Sequence, residues 1–410
     1  MDAILHSVFP YDVNVLNELR EGIADEIRDR GAITFARFME RALYCPNCGY
    51  YEREEDNIGR RGDYYTSVSV GSLFGELLAF QFAEWLRQDG MRIVEAGAHG
   101  GDLARDILGW MREYRPGLYA RLEYWIVEPS AAREGWQRKK LADYGSKVRW
   151  VKGLEGLTGG NSPQPPGSRA DGLRGIVFSN EFLDALPVHR MGWDAKARAW
   201  FEWGVTLHAG RFVWSRIPPG ASGHNRQEPS AAFPLAHFQL SPAGDVGRVP
   251  SPGGGADGLL AALPDGFTVE LCPAAEQWWR EAAVVPGCDK LVAIDYGLTA
   301  EEFLAPERKE GTVRSYYHHR LSGDVLANPG EQDITAHVNF TAIKAAGESA
   351  GLKTEAFLTQ AQLLTGIAAR TWEDESAFGK WTAERIRQFQ TLTHPEHFGR
   401  AFRALVQSRR

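Results

Sequence analysis

Apolar and polar positions along the chain follow successive rhythms. Between residues 13 and 30, Leu16, Leu19, Ile23 and Ile27 recur at helical spacing. Residues 35–43 repeat the pattern with Phe35, Phe38, Met39, Ala42 and Leu43, behind Thr34 as a candidate N-cap. Residues 44–63 are turn-rich and charged and read as a long loop. Leu73, Phe74, Leu77, Leu78, Phe82, Trp85 and Leu86 then form a wide helical stripe ending before Gly90. From there short apolar runs alternate with helical patterns. Strands are predicted over 92–95, 124–127, 148–151 and 175–179, with helices over 103–114 and 131–144 between them and a Gly/Pro/Ser-rich surface loop over 156–175. This βαβαβ order predicts a mainly parallel sheet with helices on both faces.

Residues 188–217 change character, alternating aromatic and polar positions through Trp200, Phe201, Trp203, Phe212 and Trp214, as antiparallel hairpin strands do. Residues 218–258, rich in Pro, Gly and Ser, read as a mobile insertion. The α/β pattern resumes with a helix over 274–283, strands over 290–294 and 311–321, and a helix over 340–350, and the remainder reads as helical. The expected organisation is an N-terminal helical section (1–90) covering the active site and a first core part (91–187). An inserted hairpin and loop region (188–265) and a second core part with a helical C-terminus (266–410) complete it.

Composition narrows the function classes. A net charge of −7 over 410 residues leaves no global basic surface for nucleic acid. The arginines between 385 and 410 read as a solvated helix face. No apolar run approaches the ~20 residues of a membrane span, and the first residues lack a leader pattern, so a cytoplasmic location is expected. Four cysteines are too few for a disulfide framework. Cys45 and Cys48 have zinc-ligand spacing without a second such pair, so no metal is assigned.

The chemistry concentrates at strand ends. Residues 91–106 read MRIVEAGAHGGDLARD, a strand running through a glycine turn into a helix, which is how a doubly wound sheet receives a nucleotide-like cofactor. The spacing fails the dinucleotide fingerprint, because His99 and Asp102 stand where glycines are needed, and no Gly-Lys-Ser/Thr follows for a P-loop. It fits the looser (D/E)-x-G-x-G-x-G turn of S-adenosylmethionine (SAM) methyltransferases through Glu95, Gly97 and Gly101, with His99 replacing the middle glycine. Glu128, ending the second strand, is placed to accept two ribose hydroxyls. Asn180, Glu181 and Asp184 follow the fourth strand, where two acids would clamp a guanidinium acceptor and take up charge.

Several blocks together resemble one family. They are Gly62-Asp63-Tyr64-Tyr65-Thr66-Ser67, Leu73-Phe74-Gly75-Glu76, Glu95-Ala96-Gly97-Ala98, Asn180-Glu181-Phe182-Leu183-Asp184-Ala185-Leu186-Pro187-Val188, Ile294-Asp295-Tyr296-Gly297 and Asp333-Ile334-Thr335-Ala336-His337-Val338. From about residue 15 to 405 the chain resembles the MidA-type SAM-dependent methyltransferases, whose mitochondrial members dimethylate an arginine of a respiratory complex I subunit. The resemblance implies an α/β, Rossmann-like class I SAM-dependent methyltransferase fold with a mainly parallel sheet, an N-terminal helical section and an inserted hairpin and loop region.

On that reading Glu181 and Asp184 are catalytic. Glu95, Gly97, Ala98, His99, Gly101, Glu128, Asn180 and Thr66 bind SAM, and Tyr64, Tyr65 and His337 meet the substrate. A hydrogen-bonded structural role is the alternative for His337, and for His318 and His319. The sequence departs from the family at His99-Gly100, at Asn339 in place of Asp, and at Cys45/Cys48 in place of His-Pro. The expected partner is a protein substrate, a respiratory-complex subunit by resemblance, with a homodimer left open and neither nucleic acid nor membrane insertion expected. Two other readings stand beside it: a small-molecule N- or O-methyltransferase, and a non-catalytic SAM-binding assembly factor.

Overall fold

The computed structural model describes residues 13–53, 66–86, 91–157, 174–217, 262–317, 320–372 and 375–409. Helices Val13–Arg30 and Phe35–Tyr44 flank β1 (Ile33–Thr34), and the Thr34 side chain accepts from the Arg37 N–H as the predicted N-cap. Helix Leu73–Trp85 leads to β2 (Met91–Ala96), helix Asp102–Tyr114, β3 (Leu122–Val127), helix Ala131–Lys140, β4 (Val148–Val151) and β5 (Arg174–Asn180). Strands β6 (His189–Asp194), β7 (Ala199–His208), β8 (Arg211–Arg216) and β9 (Thr268–Leu271) follow. After helix Pro273–Ala283 come β10 (Cys288–Leu298), β11 (Arg314–Tyr317), β12 (Arg320–Ser322), β13 (Asp333–Thr335) and β14 (Val338–Asn339). Helix Phe340–Ser349, β15 (Lys353–Thr359), helices Gln360–Ala368 and Ala383–Thr393, and β16 (Phe402–Ser408) close the chain.

The central sheet has the order β15-β16-β10-β5-β2-β3-β4, with β14 beside the end of β10. The path from β10 to β4 is parallel, and β16 is antiparallel to both of its neighbours. Its strands are apolar because both faces are covered. Ile93, Tyr124, Ile126, Ile176 and Phe178 pack on the side of helices Leu73–Trp85 and Asp102–Tyr114. The alternating residues Val94, Trp125, Val127 and Val177 pack on the side of helices Pro273–Ala283 and Phe340–Ser349. Burying each such side chain is worth about 1.5–3 kcal/mol, so a one-residue slip that exchanged the faces is strongly disfavoured.

Several boundaries differ from expectation. The C-terminal remainder is not all helical, because β15 and β16 pair antiparallel at one edge of the central sheet. The seven residues of β16 are nearly all buried, so the run FRALVQS carries no period-two signature and its length alone separates strand from helix. The arginines there are not one helix face either, since Arg403 pairs with Glu302 and Arg409 donates to the Ala283 carbonyl. The helix from Ala131 stops at Lys140, and a 3-10 segment with Gly145 at φ +53° follows. Residues 311–321 hold two antiparallel strands, β11 and β12, rather than one. The N-terminal section is not purely helical, because β1 pairs with β7 of the hairpin sheet. That sheet also recruits β9 beyond the expected boundary at 265. Gly204 permits the first of these pairings, since a Cβ there would stand 2.5 Å from the Ile33 carbonyl oxygen. The expected loop at 156–175 and insertion at 218–258 fall mostly outside the described residues.

Candidate active site

β2 and β5 lie side by side where the strand order reverses, and their carboxyl ends open onto one cleft of about 2410 Å³. Beyond β2 the chain turns through residues 97–101, with the Gly101 N–H donating to the Ala98 carbonyl at 2.8 Å. Gly97, His99 and Gly101 have φ of +77°, +44° and +86°. The three alternate positions of the glycine pattern are therefore its left-handed positions. Glycine takes this conformation freely, whereas at His99 it is strained by roughly 1–2 kcal/mol. Packing fixes Gly97 as well, since a Cβ there would lie 2.8 Å from Phe182 Cβ. Burial, then the nearby Arg133, pushes the His99 imidazole down to about 4, so the ring is neutral at pH 7. Gly101 begins helix Asp102–Tyr114 with no side-chain cap, which leaves the first N–H groups of the helix to a ligand.

Two acids face this turn. Glu95 is buried and accepts from the Tyr124 hydroxyl at 2.7 Å, and desolvation holds its carboxyl up at about 7. Glu128, also buried, accepts on Oε1 from Ser130 N (2.9 Å) and Arg133 Nε (3.0 Å), and on Oε2 from Gln137 Nε2 (2.9 Å). Gln137 Nε2 also donates to the His99 carbonyl at 2.8 Å, and its Oε1 accepts from Trp150 Nε1 at 2.9 Å. One fully buried amide thus holds both the turn and the acid beside it.

The end of β5 carries the second constellation. Glu181 has φ +52°, a left-handed non-glycine residue. Its N–H donates to the Ile294 carbonyl at 3.0 Å, and the next two amides, Phe182 and Leu183, donate to Asp295 Oδ2 at 3.1 and 2.9 Å. Glu181 Oε1 accepts from Ser67 N (3.0 Å) and Asn180 Nδ2 (3.1 Å). Burial, opposed by these bonds and reinforced by Asp295 and Asp333, pushes Glu181 up to about 8. Burial and the same two aspartates, with Glu181, drive Asp184 well above the carboxylate range, and burial lifts Asp295 to about 7. Four carboxyls this close cannot all ionise without a cation among them.

The N-terminal section reaches over both halves. Tyr44 donates to the Ala185 carbonyl (2.9 Å) and Tyr51 to Asp333 Oδ1 (2.5 Å). Glu52 accepts from Ser130 Oγ at 2.6 Å. Thr66 and Ser67 are buried in a turn closed by Ser69.

The structure therefore gathers Glu95, Gly97, Ala98, His99, Glu128 and Thr66 on one cleft with Asn180, Glu181, Asp184 and His337. Gly101 sits behind the lining as the start of the helix. Tyr64 and Tyr65 lie outside the described residues, as do His318 and His319. The sequence reading missed Arg133, Gln137, Asp295, Asp333, Tyr51 and Glu52. The one signal for Asp295 and Asp333 was their place in recurring blocks. Among the described residues no group of three or more His, Cys, Asp or Glu side chains is arranged to hold a metal ion. Cys45 and Cys48 lie together, whereas Cys272 Sγ bonds the Pro187 carbonyl and Cys288 Sγ that of Lys290.

This donor set fits a nucleoside with an amino-acid tail. Glu128 Oε2 keeps an acceptor position, and uncapped helix amides sit beside it. Asn180 Oδ1 and His337 Nδ1 are buried polar atoms without a hydrogen-bond partner among the described residues. The S-adenosyl-L-methionine-dependent methyltransferase family matches residues 77–358, more than half of the chain. The chain belongs to that family.

Its relatives agree. The mitochondrial protein arginine methyltransferase NDUFAF7 homolog of Drosophila melanogaster is 28% identical over 356 residues, covering 81% of this chain and 70% of the relative. The mitochondrial protein arginine methyltransferase NDUFAF7 of Homo sapiens is 26% identical over 411 residues, covering 92% and 80%. A COG1565 superfamily member from Burkholderia thailandensis, solved with S-adenosyl-homocysteine bound, superposes with a TM-score of 0.76 at 29% identity, covering 98% of this chain and 95% of that one. The protein is thus a SAM-dependent methyltransferase on a Rossmann-like α/β fold. The cytoplasmic location expected from the sequence is overturned, because the curated relatives are named mitochondrial. Among the described residues no helix is long and apolar enough to cross a membrane.

Proposed function

We propose that the cleft transfers methyl groups from SAM to a guanidino nitrogen of an arginine in a protein substrate. The observation that carries this reading is the set of acids at the end of β5. Glu181, Asp184 and Asp333 line the cleft with Asp295 behind them; burial raises Glu181, Asp184 and Asp295, and the neighbouring carboxylates push Glu181 and Asp184 further up. A guanidinium is planar, presents five N–H donors and supplies the positive charge these carboxyls lack. When bound, SAM supplies an electrophilic methyl on a sulfonium. Everything else falls to the chain: orienting the acceptor, excluding water, and taking up the proton the acceptor nitrogen must lose. Glu181, held up at about 8 by burial, ionises when a guanidinium lies beside it and is then able to take that proton. Asp184 and Asp333 hold the rest of the guanidinium, and the neutral His337 packs beside Tyr296, 6.1 Å between ring centroids.

Glu128 is the ribose acid on this reading, and the 97–101 turn holds the remainder of the cofactor. The names of the fly and human relatives support arginine as acceptor, and a respiratory-complex subunit, implied by the resemblance, is the first substrate to try. Incubation with methyl-labelled SAM and a mitochondrial lysate, followed by digestion and mass spectrometry, tests the reading. Label on arginine is expected and is lost in Glu181→Gln. Label on a small molecule, or on lysine, overturns the arginine assignment.

A further inference from the structure

Arg133 stands between two carboxylates. Its Nε donates to Glu128 Oε1 at 3.0 Å, while Nη2 lies 3.6 Å from Glu52 Oε1, an ion pair just beyond hydrogen-bond length. Glu52 is already fixed by its other oxygen, through Ser130 Oγ at 2.6 Å. A carboxylate has about four acceptor positions. Ser130 N and Arg133 fill both on Glu128 Oε1, and Gln137 fills one on Oε2. A ribose diol brings two O–H donors to the one position that remains.

Among the three groups in place, Ser130 N is backbone at the start of helix Ala131–Lys140, and Gln137 is locked by its bonds to His99, Glu128 and Trp150. Arg133 alone has a second acid at hand. We propose that occupation of Glu128 by the ribose moves Arg133 onto Glu52, completing that pair and fastening residues 44–53 over the cleft. The same segment carries Tyr51 on Asp333 and Tyr44 on the Ala185 carbonyl. Cofactor occupancy therefore sets the acceptor acids, and the cofactor binds before the acceptor. Arg133 and Glu52 are positioning residues. The inference rests on the ribose reading of Glu128, which the experiment tests separately.

S-adenosyl-homocysteine is titrated by calorimetry into the unaltered protein, Glu52→Gln and Glu128→Ala. Hydrogen exchange of residues 44–53 is followed with and without the ligand. Glu52→Gln is expected to weaken binding roughly tenfold, the worth of one charge-assisted hydrogen bond. In the unaltered protein, exchange over 50–53 slows on ligand addition by a similar factor. Glu52→Gln binding within twofold of the unaltered protein, with Glu128→Ala weakened, overturns the transfer of Arg133 and leaves the ribose reading standing. Unchanged affinity in Glu128→Ala sinks the ribose reading and the inference with it. Unchanged exchange in the unaltered protein overturns the inference without relying on any variant.

Discussion

Replacing Glu181 by glutamine should stabilise the fold at alkaline pH while abolishing methyl transfer. The Glu181 carboxyl moves from an ordinary 4.5 to about 8 on folding, chiefly by desolvation. A folded value above the unfolded one means the protonated carboxyl costs nothing extra at low pH. The penalty then grows as pH rises from 4.5 toward 8. At about 1.36 kcal/mol per unit, the ionised group destabilises the fold by roughly 4 kcal/mol near pH 8 but about 1 kcal/mol near pH 5. Glutamine keeps an oxygen for the Ser67 N–H and Asn180 Nδ2 and has nothing to ionise. Its urea unfolding midpoint should therefore exceed that of the unaltered protein at about pH 8, with the gap closing by ~3 kcal/mol at about pH 5. A glutamine variant equally shifted at both pH values, or less stable at the higher one, refutes the argument that burial without a cation raises this acid.

Two further substitutions test the supports of the site. Asp295→Ala removes the acceptor of the Phe182, Leu183 and Tyr296 amides. Three orphaned buried donors should cost about 3–5 kcal/mol in chemical denaturation, and transfer should fall because Glu181 loses its fixed backbone. A denaturation midpoint within error of the unaltered protein would count against this role. Gly204→Ala puts a Cβ 2.5 Å from the Ile33 carbonyl. The expected cost is about 1–3 kcal/mol with faster amide exchange over residues 33–34, and unchanged exchange would show that the β1–β7 pairing tolerates the methyl.

The sequence was legible where chemistry and local geometry coincide. Thr34 reads as a cap because the bond it makes is three residues away. Glu95, Glu128 and Asn180 read as candidate site residues because each stands at the end of a short apolar run of strand length bounded by turn residues. Legibility fails where the deciding contact is remote or where polarity misleads. Helix Ala131–Lys140 is polar in sequence, yet Arg133 and Gln137 are among its buried positions, and Gln137 holds the 97–101 turn. Asp295 acts on amides 112 and 113 residues upstream, a separation no spacing rule reaches. β16 was hidden because a strand buried on both faces loses its alternation.

Two of the described non-glycine residues in the left-handed region mark the two halves of the site, whereas Arg198 and Ala209 sit in the turns on either side of β7. His99 and Glu181 are non-glycine residues in the left-handed region, and they follow the ends of adjacent strands β2 and β5. Such conformations persist only where surrounding bonds over-determine them. At Glu181 those bonds come from β10, through the Ile294 carbonyl and the Asp295 carboxylate. At His99 the anchor is its carbonyl, held by the Gln137 amide that also holds Glu128. Each strained residue is thus fixed by an element from elsewhere in the chain, and each fixing residue also sets an acid or its backbone. Histidine in the turn is compatible with a working cofactor site for this reason: the bond that stabilises the turn is made by the backbone, and the side chain is left to line the cleft.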